Sequence, residues 1–466
     1  MNKVLRKMIG KNVSKKNRID VGSASSNINN AESSNTERDP NLRDKASTSR
    51  VSIVDIETGN SLENKTGILA RLQNKKELMT YEQPTAECCI YRVPNSFRNV
   101  KPEAYTPQLI SIGPLHRGDE RLKGMEEQKW RYFNEFVEEQ GPVKIDDLER
   151  RIQVKEADIR ACYSEKFNEI KSEDFIEMIL LDAVFIIKFF QHSNGQSENL
   201  KPWMIFDIRE DLMLLENQLP LSIIEKIDDQ ETICIPFLKL ATVHFGKYLF
   251  LLVGEATGVQ RSRHFTDLIR SFMLKGSIER NYTFMSPVKL KYNAVMLRQA
   301  GMKFQVTEDK CLVNIKFEKG VLKIPRLEVD HCFERLVRNI MAFEQCVTPF
   351  EAYVCNYIMF MDNLIDSAED VDLLAENRII HNLLGDDAAL SDMMNKLCET
   401  IPDTYTCYDD ICGEMNAHYE NRDNHRKATL KLVYFPNVWR GTATVAAAIL
   451  LILTLIQAVC SFISLF

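Results

Sequence analysis

Three short polar groupings interrupt otherwise apolar stretches, and they are where this sequence could do chemistry: His116 in SIGPLH, Glu216 with Gln218 in LLENQLP, and Glu344 with Gln345 in AFEQC. A histidine and two carboxyls could move a proton or polarise a carbonyl if folding brought them together, and such convergent groups leave no local signature. The plainer role is structural, because polar side chains within apolar helices commonly satisfy loop backbone or one another. The sequence favours that plainer role. It contains no phosphate loop, no His-Glu-x-x-His helix, no Gly-x-Ser-x-Gly elbow and no dinucleotide glycine fingerprint, so neither a catalytic residue nor a cofactor is expected.

Five possible zinc ligands cluster late in the chain, Cys398, Cys407, Cys412, His418 and His425, but without the paired two-residue spacings of zinc ribbons and fingers. No metal is expected there. The 12 cysteines follow no regular spacing of a secreted disulfide framework and read as reduced, mostly buried thiols, the adjacent Cys88 and Cys89 included. Met359 and Met361 read as core. The net charge of −7 leaves no general basic surface for phosphates, which argues against nucleic acid as a partner.

The elements that must position these residues are mostly helical. MEEQKWRYFNEFVEEQ places Trp130, Phe133, Phe136 and Val137 on one helical face, and Ile145, Leu148, Ile152 and Ile159 continue a second amphipathic helix. DFIEMILLDAVFIIKFFQH, from Asp174 to His192, is apolar nearly all round; it predicts a central buried helix in which Asp182 needs a partner. In DLMLLENQLPLSIIEKI Pro220 must kink a helix or start a new one. Gly301 is placed to end a helix, Ser367 with Asp370 to cap one, and Gly385 to close that one. Between them, the alternation of Cys311, Val313, Ile315 and Phe317, a turn at Glu318-Lys319-Gly320 and a returning VLKIPRLEV predict a small antiparallel hairpin or meander. The fold class is therefore mainly α: a large helical domain over 87–434 with minor β.

Both ends differ from this body. Residues 1–80 are rich in Ser, Asn, Lys and Glu and predict a disordered polar arm. Its first 18 residues hold seven Lys or Arg at near-helical spacing from apolar ones, as in a basic amphipathic helix, a transit peptide or a solvated tail. Residues 442–466 carry no charge and are long enough to span a bilayer as a helix. Arg426, Lys427, Lys431 and Arg440 precede them and Trp439 suits the interface, which predicts a tail anchor with the body facing the cytosol. The membrane is thus an expected partner. The sequons at Asn12, Asn64 and Asn281 make the orientation testable, because only a lumenal body would be glycosylated.

Several stretches together resemble one plant family, that of the domain of unknown function numbered 247. They are YRVPNSFRN (Tyr91 to Asn99), AYTPQLISIGPLHRG (Ala104 to Gly118), MEEQKWRYF (Met125 to Phe133), DFIEMILLDAVFII (Asp174 to Ile187), DLMLLENQLPL (Asp211 to Leu221), the Gly-x-Leu-x-Ile-Pro of Gly320 to Pro325, and the membrane-proximal end. In order and spacing they cover roughly residues 87 to 466. Two departures are LVYFPNVWRG, where the family often has Asn-Pro-Trp, and Met341-Ala342 ahead of Phe343-Glu344. The resemblance implies a helical fold with a C-terminal membrane segment and no established enzymatic activity. Some grass members are implicated in pollen-side recognition during self-incompatibility. No functional residue carries over.

The expectation is a membrane-tethered, non-catalytic recognition or signalling component with a protein partner, a single-pass protein at the plasma membrane or an endomembrane. The alternative is a membrane-associated enzyme or small-molecule binder using His116, Glu216, Gln218 and Glu344.

Overall fold

The computed structural model describes residues 87–193, 200–228, 237–248, 262–275, 288–399, 401–402, 406–430 and 438–464. The expected polar arm, the three sequons and Lys431 lie outside the described residues. Helices α1 (Asn95–Arg98), α2 (Glu126–Gln140), α3 (Pro142–Ala161), α4 (Ser172–Ser193), α5 (Pro202–Leu212), α6 (Leu221–Ile227), α7 (Phe237–Tyr248) and α8 (Phe265–Met273) come first. Helix α9 (Ala294–Gln299) then precedes strands β1 (Lys303–Thr307), β2 (Lys316–Glu318), β3 (Val321–Pro325) and β4 (Leu327–Val329). The chain continues through α10 (Phe333–Val347), α11 (Tyr353–Leu364), α12 (Ala368–Glu376), β5 (Ile380–Asn382), α13 (Asp387–Leu397), α14 (Asp409–Glu420), α15 (Arg422–Thr429) and α16 (Val438–Ile463). The fold is mainly helical with two small sheets, as the patterning predicts.

Helix α4 is the central element, with α2, α3, α6 and α7 packed on it. Its residues from Val184 to Phe190 are all buried, Lys188 among them. Asp182 has the partner it needs: Lys129 Nζ lies 2.7 Å away and the Gly113 N–H donates at 2.8 Å. Burial raises the Asp182 pKa, and the Lys129 ammonium only partly opposes that. The same contact sets the rotation of α2. Its buried stripe is Lys129, Tyr132 and Phe136, three and four positions apart, so Trp130 is 45% exposed and packs edge-on against Phe133 instead of facing the core. Helix α3 buries Leu148, Ile152 and Ile159 as its periodicity predicts.

The expected hairpin is β2 and β3, paired antiparallel with Phe317 opposite Leu322. Lys319 and Gly320 turn it with φ of 50° and 78°, two left-handed positions that match the twist of a tight hairpin. Two parallel pairings lie outside any local pattern: β1 on the other edge of β3, and β4 against β5. The first strand is shorter than its alternation predicts. The Asp309 carboxylate accepts the Cys311 N–H at 2.9 Å and the Asn314 amide at 3.2 Å, turning the chain, although Cys311, Val313 and Ile315 are buried all the same.

Helix ends follow the punctuation with one correction. Gly301, at φ 83°, follows α9, and Ser367 and Asp370 form the capping box of α12. Pro220 precedes the first turn of α6, and the chain between α5 and α6 is irregular rather than a bent helix. Gly385 does not close α12, which ends at Glu376 with Arg378 at φ 60°; Gly385 instead precedes Asp386, the cap of α13. Helix α16 is 26 residues long, buries no residue, and is long and apolar enough to cross a membrane.

Candidate functional site

Between Met213 and Pro220 the chain has left one helix and not begun the next, so its buried backbone groups must find partners elsewhere. The polar residues of the stretch and of its flanks meet that demand. Asn217 accepts the Ile112 N–H through Oδ1 at 2.7 Å and donates through Nδ2 to the carbonyls of Ile110 and Asp211, each at 3.0 Å. Gln218 donates to the Leu212 and Leu214 carbonyls at 2.6 Å and accepts the Phe265 N–H at 2.9 Å, which ties the stretch to α8. From α10, Asn339 accepts the Leu215 N–H at 3.0 Å and donates to the Ala104 carbonyl at 2.8 Å. Tyr163 donates its hydroxyl to the Gln218 carbonyl at 2.9 Å.

Asp211, in the last turn of α5, takes the N–H groups of Gln108, Leu109 and Ile110 at 2.9, 2.7 and 2.9 Å and the guanidinium of Arg335 at 3.0 Å. Burial nevertheless raises its pKa, with Arg335 and the three amides pulling the other way. Two stretches far apart in sequence, 104–113 and 211–218, are thus stitched by side-chain bonds to backbone. Beside the seam Val93, Ala104, Tyr105, Leu215, Ala342 and Phe343 form a small apolar cluster of their own.

Glu216 is the charged centre of the seam. Its buried carboxylate accepts the Val93 N–H at 2.6 Å and pairs with Arg98; His116 Nε2 lies 3.0 Å from Oε2 and Arg92 Nη1 3.8 Å from it. The His116 contact is an ion-pair distance with poor hydrogen-bond alignment. Burial pushes the Glu216 pKa up, but His116, Arg98 and the Val93 amide outweigh it, so the group is held below its ordinary value. A carboxylate held ionised by a fixed amide and arginine is a poor proton shuttle at neutral pH. Arg92 also pairs with Glu165 near the surface.

The four sequence-predicted residues therefore separate by role. His116 and Glu216 meet. Gln218 lies beside Glu216 along the chain but bonds only backbone. Glu344, on α10, accepts Arg270 Nε at 2.7 Å and the N–H groups of Val354 and Cys355 at 3.1 and 2.8 Å, so it caps the start of α11 from another helix. Gln345 Nε2 lies 3.6 Å from Cys355 Sγ. The carboxylate and amides that do most of the stitching, Asp211, Asn217 and Asn339, carry the same signal of polar residues within apolar runs. Their partners lie about a hundred residues away, out of reach of any local pattern.

His264 is a fully buried histidine the patterning does not single out. It accepts the Asp267 N–H at 3.4 Å and lies 3.1 Å from the Cys89 carbonyl; burial pushes its pKa down to about 4, which keeps the ring neutral. Among the described residues no group of three His, Cys, Asp or Glu is arranged to hold a metal ion. His425 Nε2 lies 2.7 Å from the Tyr419 carbonyl, and His418 packs edge-on against Phe317. Trp439 and Arg440 are exposed in the first turn of α16.

A helical body stitched through buried polar side chains, followed by one long apolar helix, is the class of protein these features define. The chain belongs to DUF247, a plant protein family of unknown function, whose sequence model matches residues 90–453. A UPF0481 protein of Arabidopsis thaliana is 27% identical over 438 residues, covering 84% of this chain and 90% of that relative. A putative UPF0481 protein of the same plant is 22% identical over 486 residues, covering 82% of this chain and 91% of that relative. No solved structure matches the chain.

Proposed function

We propose that this protein is a membrane-tethered interaction component without catalytic activity, whose helical body is presented to the cytosol for recognition or signalling through a protein partner. The observation that carries this is α16. None of its residues is buried against the body, and side chains such as Leu450, Leu451 and Leu455 stand exposed along it. So much apolar surface is unfavourable in water, whereas a hydrocarbon core about 30 Å thick accommodates roughly 20 such residues in a helix. Trp439 and Arg440 at its start suit the headgroup boundary, and the basic residues before it, Arg426, Lys427 and Lys431, favour a cytosolic body.

The non-catalytic part of the reading is supported by the bonding of Asp211, Glu216 and Glu344, whose donors are backbone amides and arginines of the fold itself. One cavity among the described residues, lined by Leu290, Asn356, Phe360, Asn363, Tyr408 and Cys412, holds about 30 Å³, space for a water rather than a substrate. The test is expression in plant cells of the tagged full chain and of a version ending at Asn437. Membrane association should be lost on truncation, and an unchanged membrane fraction would sink the anchor. A glycosidase-sensitive mass shift would overturn the cytosolic orientation. Proximity labelling from the full chain should recover the same membrane or signalling proteins reproducibly, and recovery of none would count against the interaction role.

A further inference from the structure

Three thiols gather where the described body begins. An isolated parallel β-bridge, Ile90 with Tyr163, fastens the leading segment to the turn after α3. Cys89 and Ile90 both donate their N–H to the Cys162 carbonyl at 2.9 Å, and Ser164 donates back to the Ile90 carbonyl at 2.9 Å. In this register Cys89 and Cys162 are the pair next to the bridge, one position earlier on each segment. Parallel neighbours lie about 4.8 Å apart with their side chains on the same side. That separation is inside the range of roughly 4.4–6.8 Å between Cα atoms that a disulfide spans. Each thiol perturbs the ionisation of the other. Cys162 Sγ also lies 3.4 Å from the Asp158 carbonyl and is half-buried, whereas Cys89 is buried. Cys88, also buried, lies near Tyr91 and within electrostatic reach of Cys162, so the two adjacent cysteines must be told apart by experiment.

We propose that Cys162 and Cys89 form a reversible, peroxide-driven disulfide, with Cys162 the attacking thiol and Cys89 the resolving one. The thiolate of Cys162 attacks one oxygen of hydrogen peroxide; the S–O bond forms, the O–O bond breaks, and the departing hydroxide takes the thiol proton to become water. Cys162 is then a sulfenic acid, oxidised by two electrons. The sulfur of Cys89 attacks the Cys162 sulfur; the S–S bond forms, the S–O bond breaks, and hydroxide leaves with the Cys89 proton as a second water. Two thiols and one peroxide give one disulfide and two waters. A small thiol such as glutathione reverses it by exchange.

The order of roles follows from the site. Cys162 is the more accessible sulfur, half-buried where Cys89 is buried, and the neighbouring Cys89 thiol holds its pKa below that of an ordinary thiol. The neighbouring Cys162 sulfur, together with burial, holds Cys89 above. The disulfide would cross-link residues 89 and 162 directly ahead of Arg92 and Val93, two of the groups that hold Glu216, and so brace the seam from one end.

The test uses the purified full chain in detergent, reduced, desalted and exposed to hydrogen peroxide, then digested with trypsin without reduction. The expected product is the peptide ending at Arg92 linked to the peptide from Ala161 to Lys166, present in wild type and Cys88→Ser, abolished by dithiothreitol, and missing from Cys89→Ser and Cys162→Ser. Oxidised wild type should also unfold several degrees higher than reduced, and Cys162→Ser should show no such shift. The proposal is overturned if the link survives Cys89→Ser but not Cys88→Ser, or if Cys162 in wild type runs on to the sulfinic acid while Cys89 remains alkylatable. The wild-type peptide map decides that second outcome without any variant.

Discussion

Glu216 has the most at stake of any single side chain in the seam, because it answers a buried amide, an arginine and a histidine at once. Glu216→Ala leaves the Val93 N–H and the Arg98 guanidinium without their acceptor and should cost about 3 kcal/mol, measured by urea unfolding. Glu216→Gln keeps an oxygen for Val93 and should cost less. The two substitutions also differ from wild type in acid. A carboxyl held below its ordinary value of 4.5 contributes its stability fully above that pH and loses it as pH falls through the lower folded value. Wild type should therefore weaken more steeply than Glu216→Gln on acidification below about 4.5; parallel stability curves would show that the charge contributes nothing. Asp182 and Asp211 have the opposite sign, since burial raises them and their contribution declines as pH rises through the window above 3.8. The pairing of His116 with Glu216 was half legible: both residues stand out in the sequence. The cations Arg98 and Arg92 do not, because arginine in a polar segment has no periodicity to betray it.

At the scale of elements, the clearest contrast is between two glycines of one loop. Gly113 and Gly118 have φ of 71° and 87°, so alanine is strained at both by roughly 1 kcal/mol. A Cβ at Gly113 would also lie 2.7 Å from the Gln218 carbonyl oxygen, whereas at Gly118 it would meet nothing within 4 Å. Gly113→Ala should therefore lower the thermal midpoint clearly more than Gly118→Ala, and equal effects would mean the seam is looser than drawn. Ser367→Ala, which removes one half of the α12 capping box, should cost about 1 kcal/mol in the same assay. Helices α3 and α4, the Gly301 stop and the β2–β3 hairpin were readable because each is specified within a few residues. The parallel partners of β3 and β4 were not, since β5 lies some fifty residues beyond β4. The face of α2 was misjudged for a related reason: a lysine takes a core position there because Asp182, on another helix, receives it.

For the whole molecule, the separation of α16 from the body has an energetic corollary. A helix that buries no residue in the body contributes nothing to the body's packing. A chain ending at Asn437 should unfold with the same midpoint and cooperativity as the full chain in the same detergent. A drop of more than a degree or two would reveal contacts between body and tail. The apolar helix α16 is the feature most completely written in the sequence, because its length and composition are read without reference to any other residue. The proposed recognition partner is the least so: it depends on surface shape, and polar surface positions carry no period.

The seam also has a consequence in time. Asn339 bonds the Ala104 carbonyl across 235 residues, and Arg335 bonds the Thr106 carbonyl across 229. At about 5–20 residues per second of synthesis, the segment around Ala104 waits roughly 10–50 s for its last partners to be made. During that interval its buried amides can bond only water or whatever shields the nascent chain. The seam of a protein built this way closes only when almost three-quarters of the chain already exists.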